Sequence, residues 1–519
     1  MSTPTTPDPR LREPGWDGRG DPRAARRVRM LALLALPLAA WYFTWLLAPG
    51  RVGNPLLYGT LLAAECFNLV QAVGFWWTAC RQRARRALPA AGGRRPEVDV
   101  LVPVYDEPVE IVEPTIAAAA RMRGARVSVW LLDDGGSPEM EAMARRHGAG
   151  YLARERREGA KAGNVNDALP HTHGELVVVL DCDHVPSPRF LEATLGHLDD
   201  PGVAMVQTPQ YYANADRNRV AAAAWAQQAL FFGAIARGKD GLGAMFCCGT
   251  NVVFRREALE SAGGFPEDSV TEDFELSVAL HEAGWRTAYV PEVLASGLGP
   301  EDMASYVSQQ QRWARGCLSG LRSALRARLP WRQKAQYALS GIYFLSGWTV
   351  LVYLTMPVVR ILTGAQPLAG ATADQFLLHF GPYYAVALGM VAVAGAGSFT
   401  FAGFALAASS FWIHVRASLL ALAGRRGRFV VTPKQGAARR QPRAVAPALA
   451  AVAVLLGVAA FGLARDGSPA TLNNVAFALF HVSILLAGAW PALASPGGLP
   501  AAATDEQPAR APVVERWAA

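Results

Sequence analysis

The chain has 519 residues, 51% of them hydrophobic and 18% charged. That is too apolar for a purely soluble enzyme and too charged for a bundle of membrane spans alone, so a membrane part and a soluble part are both expected. The formal net charge of +8 gathers in Arg clusters that flank apolar runs, which fits membrane orientation and leaves no reason to invoke nucleic acid.

Residues 1–29 are rich in Pro, Arg, Asp and Gly and read as a disordered cytosolic tail. Residues 30–80 hold two predicted spans, at 31–48 and about 56–79. A cleaved signal peptide is the competing reading of the first; the run is long for one and no A-x-A site follows it. From 96 to 330 the texture changes, and short β-branched runs alternate with Ala-rich helical stretches. Residues 98–104, 127–132, 176–180 and 203–206 are predicted strands. Their continuous apolar character suits a mostly parallel sheet covered on both faces, hence an α/β domain.

Further apolar runs predict spans at about 337–362, 376–396, 445–464 and 471–491. The stretch 398–423, with His414 and Arg416 in it, is ambiguous, and charge decides. The loop 416–443 carries eight Arg or Lys and no acid, so the positive-inside rule places it in the cytosol. Parity then allows two spans before the loop, and 398–423 becomes an interfacial helix. Six spans follow, with both termini cytosolic, and 492–519 is a second disordered tail. The six cysteines form no C-x-x-C pair, so neither a disulfide framework nor a zinc site is expected.

Motifs that carry chemistry stand at the predicted strand ends. The first strand runs into Tyr105-Asp106-Glu107 and the second into Asp133-Asp134-Gly135-Gly136. Ligands of open α/β sheets bind at such carboxyl ends, where carboxylates can hold ribose or base; the same residues also read as a helix-start acid pair and a turn. Lys161 beside Gly163 at a helix start suits a diphosphate oxygen, or is a solvated lysine. No P-loop is present, and Gly238-Lys239-Asp240-Gly241 only imitates one. Asp181-Cys182-Asp183-His184 ends the third strand, where two carboxylates at i and i+2 can present oxygens to Mg²⁺, and His184 would tilt the site toward Mn²⁺. Phe246-Cys247-Cys248-Gly249 is a pocket wall or the end of a core strand. Thr271-Glu272-Asp273 opens a helix predicted over 272–283, where Asp273 is a candidate general base or an acid facing the helix dipole. In Gln309-Gln310-Gln311-Arg312-Trp313, helical spacing puts Gln309, Arg312 and Trp313 on one face, fit for a phosphate and a sugar ring or for a membrane surface.

In this order the motifs resemble processive family 2 glycosyltransferases, most of all bacterial cellulose synthase catalytic subunits. The matched stretch is about 98–322, with the later loop Phe429-Val430-Val431-Thr432-Pro433-Lys434. The resemblance implies a GT-A α/β domain inserted between transmembrane helices, cytosolic at the plasma membrane, and a channel through the spans. It implies a UDP-sugar donor, a growing polysaccharide acceptor, Mg²⁺ or Mn²⁺ as cofactor, and accessory export or cell-envelope proteins as partners. Asp133 and Asp134 would contact the uridine, with Tyr105, Glu107 and Glu272 in the same substrate site. Lys161 and Arg312 would hold the diphosphate, and Asp181, Asp183 and His184 the metal. Asp273 would be the base, and Cys248, Gln309 and Trp313 would line the acceptor side. Thr432 and Lys434 belong to a gating loop near 425–440.

The expected product is a cellulose-like β-glucan made by an inverting displacement from UDP-glucose. Other β-glucans, chitin- or hyaluronan-like chains, single transfer to a lipid carrier, and a non-catalytic scaffold are the alternatives. No PilZ barrel follows the last spans, so direct cyclic di-GMP binding is not expected.

Overall fold

The computed structural model describes residues 22–155, 157–424 and 440–494. Both expected tails and the loop carrying Phe429, Thr432 and Lys434 lie outside the described residues. Two long helices come first, α1 (Pro22–Leu46) and α2 (Pro55–Cys80). Asn54 starts the second by accepting the amides of Leu56 and Leu57, both at 3.1 Å, with Pro55 at the first helical position.

An α/β unit follows, made of β1 (Glu97–Val104), α3 (Val109–Ala119), β2 (Arg126–Asp133), α4 (Pro138–Arg146), β3 (Gly150–Leu152), α5 (Ala160–Ala168), β4 (Leu176–Val179), β5 (Val185–Pro186), α6 (Phe190–Thr194), β6 (Val203–Gln207), β7 (Tyr211–Tyr212), α7 (Arg219–Leu230), α8 (Ala236–Gly241), β8 (Val252–Arg255), α9 (Arg256–Ser261), α10 (Glu272–Glu282), β9 (Arg286–Tyr289), β10 (Ala295–Gly297) and α11 (Met303–Arg326). The main sheet has seven strands in the order β3-β2-β1-β4-β8-β6-β9. Its β3-β2-β1-β4 half is parallel, β8 runs antiparallel to both neighbours, and β9 is parallel to β6. Alternate residues of each central strand feed two cores. Val98, Val100 and Val102 pack on one face, and Leu101, Val177 and Val179 on the other. Both faces are covered, which is why these strands read as unbroken apolar runs. The buried acid of β1, Asp99, is answered by Arg256 at 2.8 Å and the Trp130 indole at 3.1 Å.

The remaining helices are α12 (Trp331–Ile342), α13 (Ser346–Thr363), α14 (Ala373–Ala394), α15 (Phe401–Ser409), α16 (Phe411–Leu422), α17 (Ala446–Arg465) and α18 (Pro469–Leu493). Among the described residues six helical stretches are long and apolar enough to cross a membrane, the third being the α12–α13 run Trp331–Thr363, and a seventh is counted if α15 and α16 form one span. Their outer faces expose Leu33, Leu56, Phe461 and Phe480, the kind of surface that a bilayer covers. Inside the bundle the Tyr353 hydroxyl donates to Glu65 and accepts from Asn68, each at 2.7 Å, so this buried polar group is answered.

The single interfacial helix expected over 398–423 is two helices, bent 43° at Ser410. The hydroxyls of Ser409 and Ser410 both bond back to the Leu406 carbonyl, at 3.0 and 2.7 Å, and compete with the helix ladder there. The pair packs on α7, α11, α13 and α18.

Candidate active site

Because β1, β2 and β4 run parallel, their carboxyl ends open on one edge of the sheet. A cavity of about 450 Å³ lies there, walled by Tyr105, Glu107, Asp134, Lys161, Asp181 and His184 on the sheet side. Cys248, Glu272, Asp273, Gln309, Arg312 and Trp313 close it from the other side. Residues spread over more than 200 positions of sequence thus meet in one space, and three helices contribute, two of them at their starts. Lys161 stands in the first turn of α5, Glu272 and Asp273 open α10, and Gln309 to Trp313 lie on α11.

The Lys161 ammonium is ion-paired with Asp181 and donates to the Gly249 carbonyl at 2.7 Å. Burial alone would lower its pKa, but Asp181 and Glu272 outweigh that, and it lies above the usual lysine value. Asp181, Asp183 and His184 bring ligand atoms within 4.8 Å of one another. The Leu298 amide donates to Asp183 at 3.3 Å, and His184 Nδ1 is 3.2 Å from the same carboxylate. The other ring nitrogen of His184, Nε2, is buried without a hydrogen-bond partner. The ring is pressed on Gly297, where an added Cβ would come within 2.3 Å of it. Two carboxylates and a fixed, unsatisfied imidazole nitrogen make a donor set that fits a divalent cation.

Asp273 is half-buried, its carboxylate held by the Phe274 amide at 2.8 Å. Burial pushes its carboxyl up to about 7, Glu272 adds to this, and Phe274, Lys161 and Arg312 pull the other way. Gly249, with φ +84, passes so close that a Cβ there would sit 3.2 Å from Asp273 Oδ2. The stretch 246–251 is a loop leading into β8, and Cys248 is fixed through its amide to Gln207 Oε1 at 2.8 Å. Helix α11 is brought against this corner at Gly316, where a Cβ would fall 2.0 Å from the Thr271 methyl carbon.

Two expected uridine contacts have other partners. Asp133 is absent from the cavity wall, because its carboxylate accepts the Gly135 and Ser137 amides at 2.7 Å each and the Tyr151 hydroxyl at 2.9 Å. It closes the turn that the Asp-Gly signal also allowed. Asp134 does line the cavity, but in a buried fork with Arg154, at 2.5 and 2.8 Å. Glu107 caps its own turn, accepting from the Tyr105 amide at 2.9 Å. Gln210, Tyr212 and Asn164 also wall the cavity and were not singled out from sequence. Gln210 and Tyr212 follow the predicted strand 203–206, so the strand-end argument used for the first three strands was available for them too.

A second, largely apolar space of about 520 Å³ lies toward α2, α7 and α12. Gln210, Cys248, Thr271, Asp273, Gln309 and Trp313 line both spaces.

Residues 176–399 match the glycosyl transferase family group 2. A solved mannosyltransferase from Pyrobaculum calidifontis, in complex with GDP-mannose and Mn²⁺, superposes with a TM-score of 0.54 at 20% identity, over 71% of this chain and 99% of that one, a likeness of fold. Sheet and strand-end cavity have the GT-A fold, and the family match falls on part of the chain that builds them. Cellulose synthase 1 of Komagataeibacter xylinus is 33% identical over 88% of the chain, and the UDP-forming cellulose synthase catalytic subunit of Pseudomonas fluorescens 35% over 66%. The chain spans 31% of the length of the first and 48% of the second. It is thus a homologue of the bacterial cellulose synthase catalytic subunits within the family 2 glycosyltransferases.

Proposed function

We propose that the protein is a membrane-embedded, processive, inverting β-glycosyltransferase that polymerises sugar from a UDP-sugar and passes the chain across the membrane. UDP-glucose is the first donor to test, giving a cellulose-like β-glucan. The observation that carries the reading is the junction of the two cavities at Asp273 and Trp313. A donor in the polar space and a chain in the apolar one would meet at Asp273, a carboxylate pushed up to about 7.

In this mechanism Asp273 takes the proton from the acceptor hydroxyl as its oxygen attacks the anomeric carbon. The bond to the diphosphate oxygen breaks, and that oxygen leaves with the electron pair. Lys161 and Arg312 bind the departing diphosphate, with Glu272 setting the charge around Asp273. Asp181, Asp183 and His184 would hold Mg²⁺ or Mn²⁺, which when bound neutralises diphosphate charge. Trp313 offers its face to the acceptor ring, beside Cys248 and Gln309. Tyr105 and Glu107 would border the nucleotide, and Asp133 and Asp134 would shape its pocket through the turn and the Arg154 pair. Thr432 and Lys434 lie outside the described residues; the resemblance would give them a loop over the donor. The Arg cluster 81–86 at the end of α2 supports a cytosolic catalytic unit at the plasma membrane.

The test supplies purified protein in bilayers with a panel of UDP- and GDP-sugars and digests the product with linkage-specific hydrolases. Release of UDP with a polymeric β-linked product is the expected result. A single sugar on a lipid, or no transfer from any donor, would overturn it.

A further inference from the structure

Lys239 was set aside in the sequence because its Gly-x-x-Gly surroundings only imitate a phosphate loop. The structure explains the glycines. Helix α8 crosses the end of α2 so closely that a Cβ on Gly238 would lie 2.1 Å from the Thr78 carbonyl oxygen, and one on Gly241 1.8 Å from that of Arg81. This seam fixes the backbone on either side of Lys239 and aims its side chain into the apolar cavity, of whose wall it forms part.

The Lys239 side chain is 3% exposed. Its nitrogen bonds to the Gln336 backbone oxygen at 3.0 Å and to Gln336 Oε1 at 3.2 Å, and lies 5.2 Å from the centre of the Phe246 ring. Gln336 is in turn held by the Thr78 hydroxyl through its NH₂ group, at 2.9 Å. Among the described residues Gln336 supplies the only hydrogen bonds to this nitrogen. A lysine nitrogen has three hydrogen-bonding sites beyond its carbon, whether all are N–H or one is a lone pair. Two are used, and the third is left for whatever occupies the cavity. A buried amine with an open site in a largely apolar wall is costly unless an occupant completes it. Burial pushes its pKa down to about 7, partly offset by Cys248 and Cys317, so it can either donate to a hydroxyl oxygen or accept a hydroxyl proton near neutral pH.

We propose that Lys239 is a positioning residue for the acceptor, its third site bonding a hydroxyl of a sugar unit behind the one that reacts. The ligand class is a neutral, hydroxyl-bearing β-linked oligosaccharide. The inference rests on the proposed transferase reading and deepens it. Lys239 and Trp313 line the same cavity, and a chain threaded past Trp313 would present ring hydroxyls to its walls.

The test uses the full-length protein in bilayers and the variants K239M, which keeps the volume and removes the polar site, and K239Q, which keeps a polar end. Three quantities are read: UDP affinity, KM for an added short β-glucose oligosaccharide, and product length. K239M should raise the acceptor KM about tenfold, the worth of one buried hydrogen bond, shorten the product, and leave UDP affinity unchanged, with K239Q intermediate. If K239M fails to fold, the comparison of K239Q with the parent carries the same prediction at smaller size. Unchanged acceptor KM and product length in a folded variant overturn the proposal while the transferase reading stands. Should the parent make no polymer, quenching of tryptophan fluorescence by the oligosaccharide separates the two ideas. Binding that K239M weakens keeps the Lys239 assignment and sinks processive transfer, and binding equal in both proteins sinks the assignment.

Discussion

Asp273 is a carboxylate placed where it can change protonation near neutral pH, and that has a signed consequence. Burial, then Glu272, lift it to about 7, so the base form is scarce below that pH and grows above it. kcat/KM for transfer should therefore rise about tenfold per pH unit on the acid side and level off above roughly pH 7. A profile flat from pH 5 to 8 would exclude Asp273 as the base. Arg312 shares the cavity with it but faces the leaving group in this account. Arg312→Ala should weaken UDP binding about 10- to 100-fold, the range for a charge-assisted hydrogen bond, as read by calorimetry. Chelation with EDTA should likewise weaken UDP binding, and added Mn²⁺ should restore it if Asp181, Asp183 and His184 hold a cation. At this scale the sequence was readable where a residue type had one plausible job. Asp181, Asp183 and His184 come together as their spacing suggested. It was not readable where carboxylates have local competitors: Asp133 is taken by the Gly135 and Ser137 amides and Tyr151, and Asp134 by an arginine 20 positions away. No spacing rule announces Arg154.

Between elements, close backbone crossings set the site's geometry. Gly238 and Gly241 let α8 seat on α2, and Gly316 lets α11 seat on the Thr271 corner. Helix propensity alone predicts that Gly238→Ala gains up to about 1 kcal/mol. The added Cβ would instead meet a carbonyl oxygen at 2.1 Å, and a backbone cannot rotate away as a side chain can. The clash wins, and we expect a net loss of about 1–3 kcal/mol, seen as a lowered Tm of the detergent-solubilised protein; an unchanged or raised Tm would refute the seam. The strands were legible because a strand buried on both faces leaves an unbroken apolar run, and 98–104, 127–132 and 203–206 fall within β1, β2 and β6. The antiparallel direction of β8 was not, since a four-residue strand buried between β4 and β6 carries no directional signal in its side chains. The bend at Ser410 was missed for a similar reason: a serine in an apolar helix is unremarkable until its hydroxyl is seen bonding backwards.

Taken whole, the molecule sets a sheet-edge cavity of about 450 Å³ against a cavity of about 520 Å³ among the helices, with Asp273 and Trp313 common to both. Apolar runs and Arg clusters made the division into membrane and soluble parts legible, because hydropathy and charge are additive along the chain. The meeting of the two cavities was not legible, because it depends on how α11 lies on α10 and α16. If that meeting point is where chain growth happens, the most direct measurement is polymer synthesis by the full-length protein in bilayers, compared with its Asp273→Asn variant, with UDP binding measured on both. Removing a general base should slow synthesis about 10²–10⁴-fold while UDP binds as before. Polymer made by Asp273→Asn at a rate near that of the parent would contradict the account.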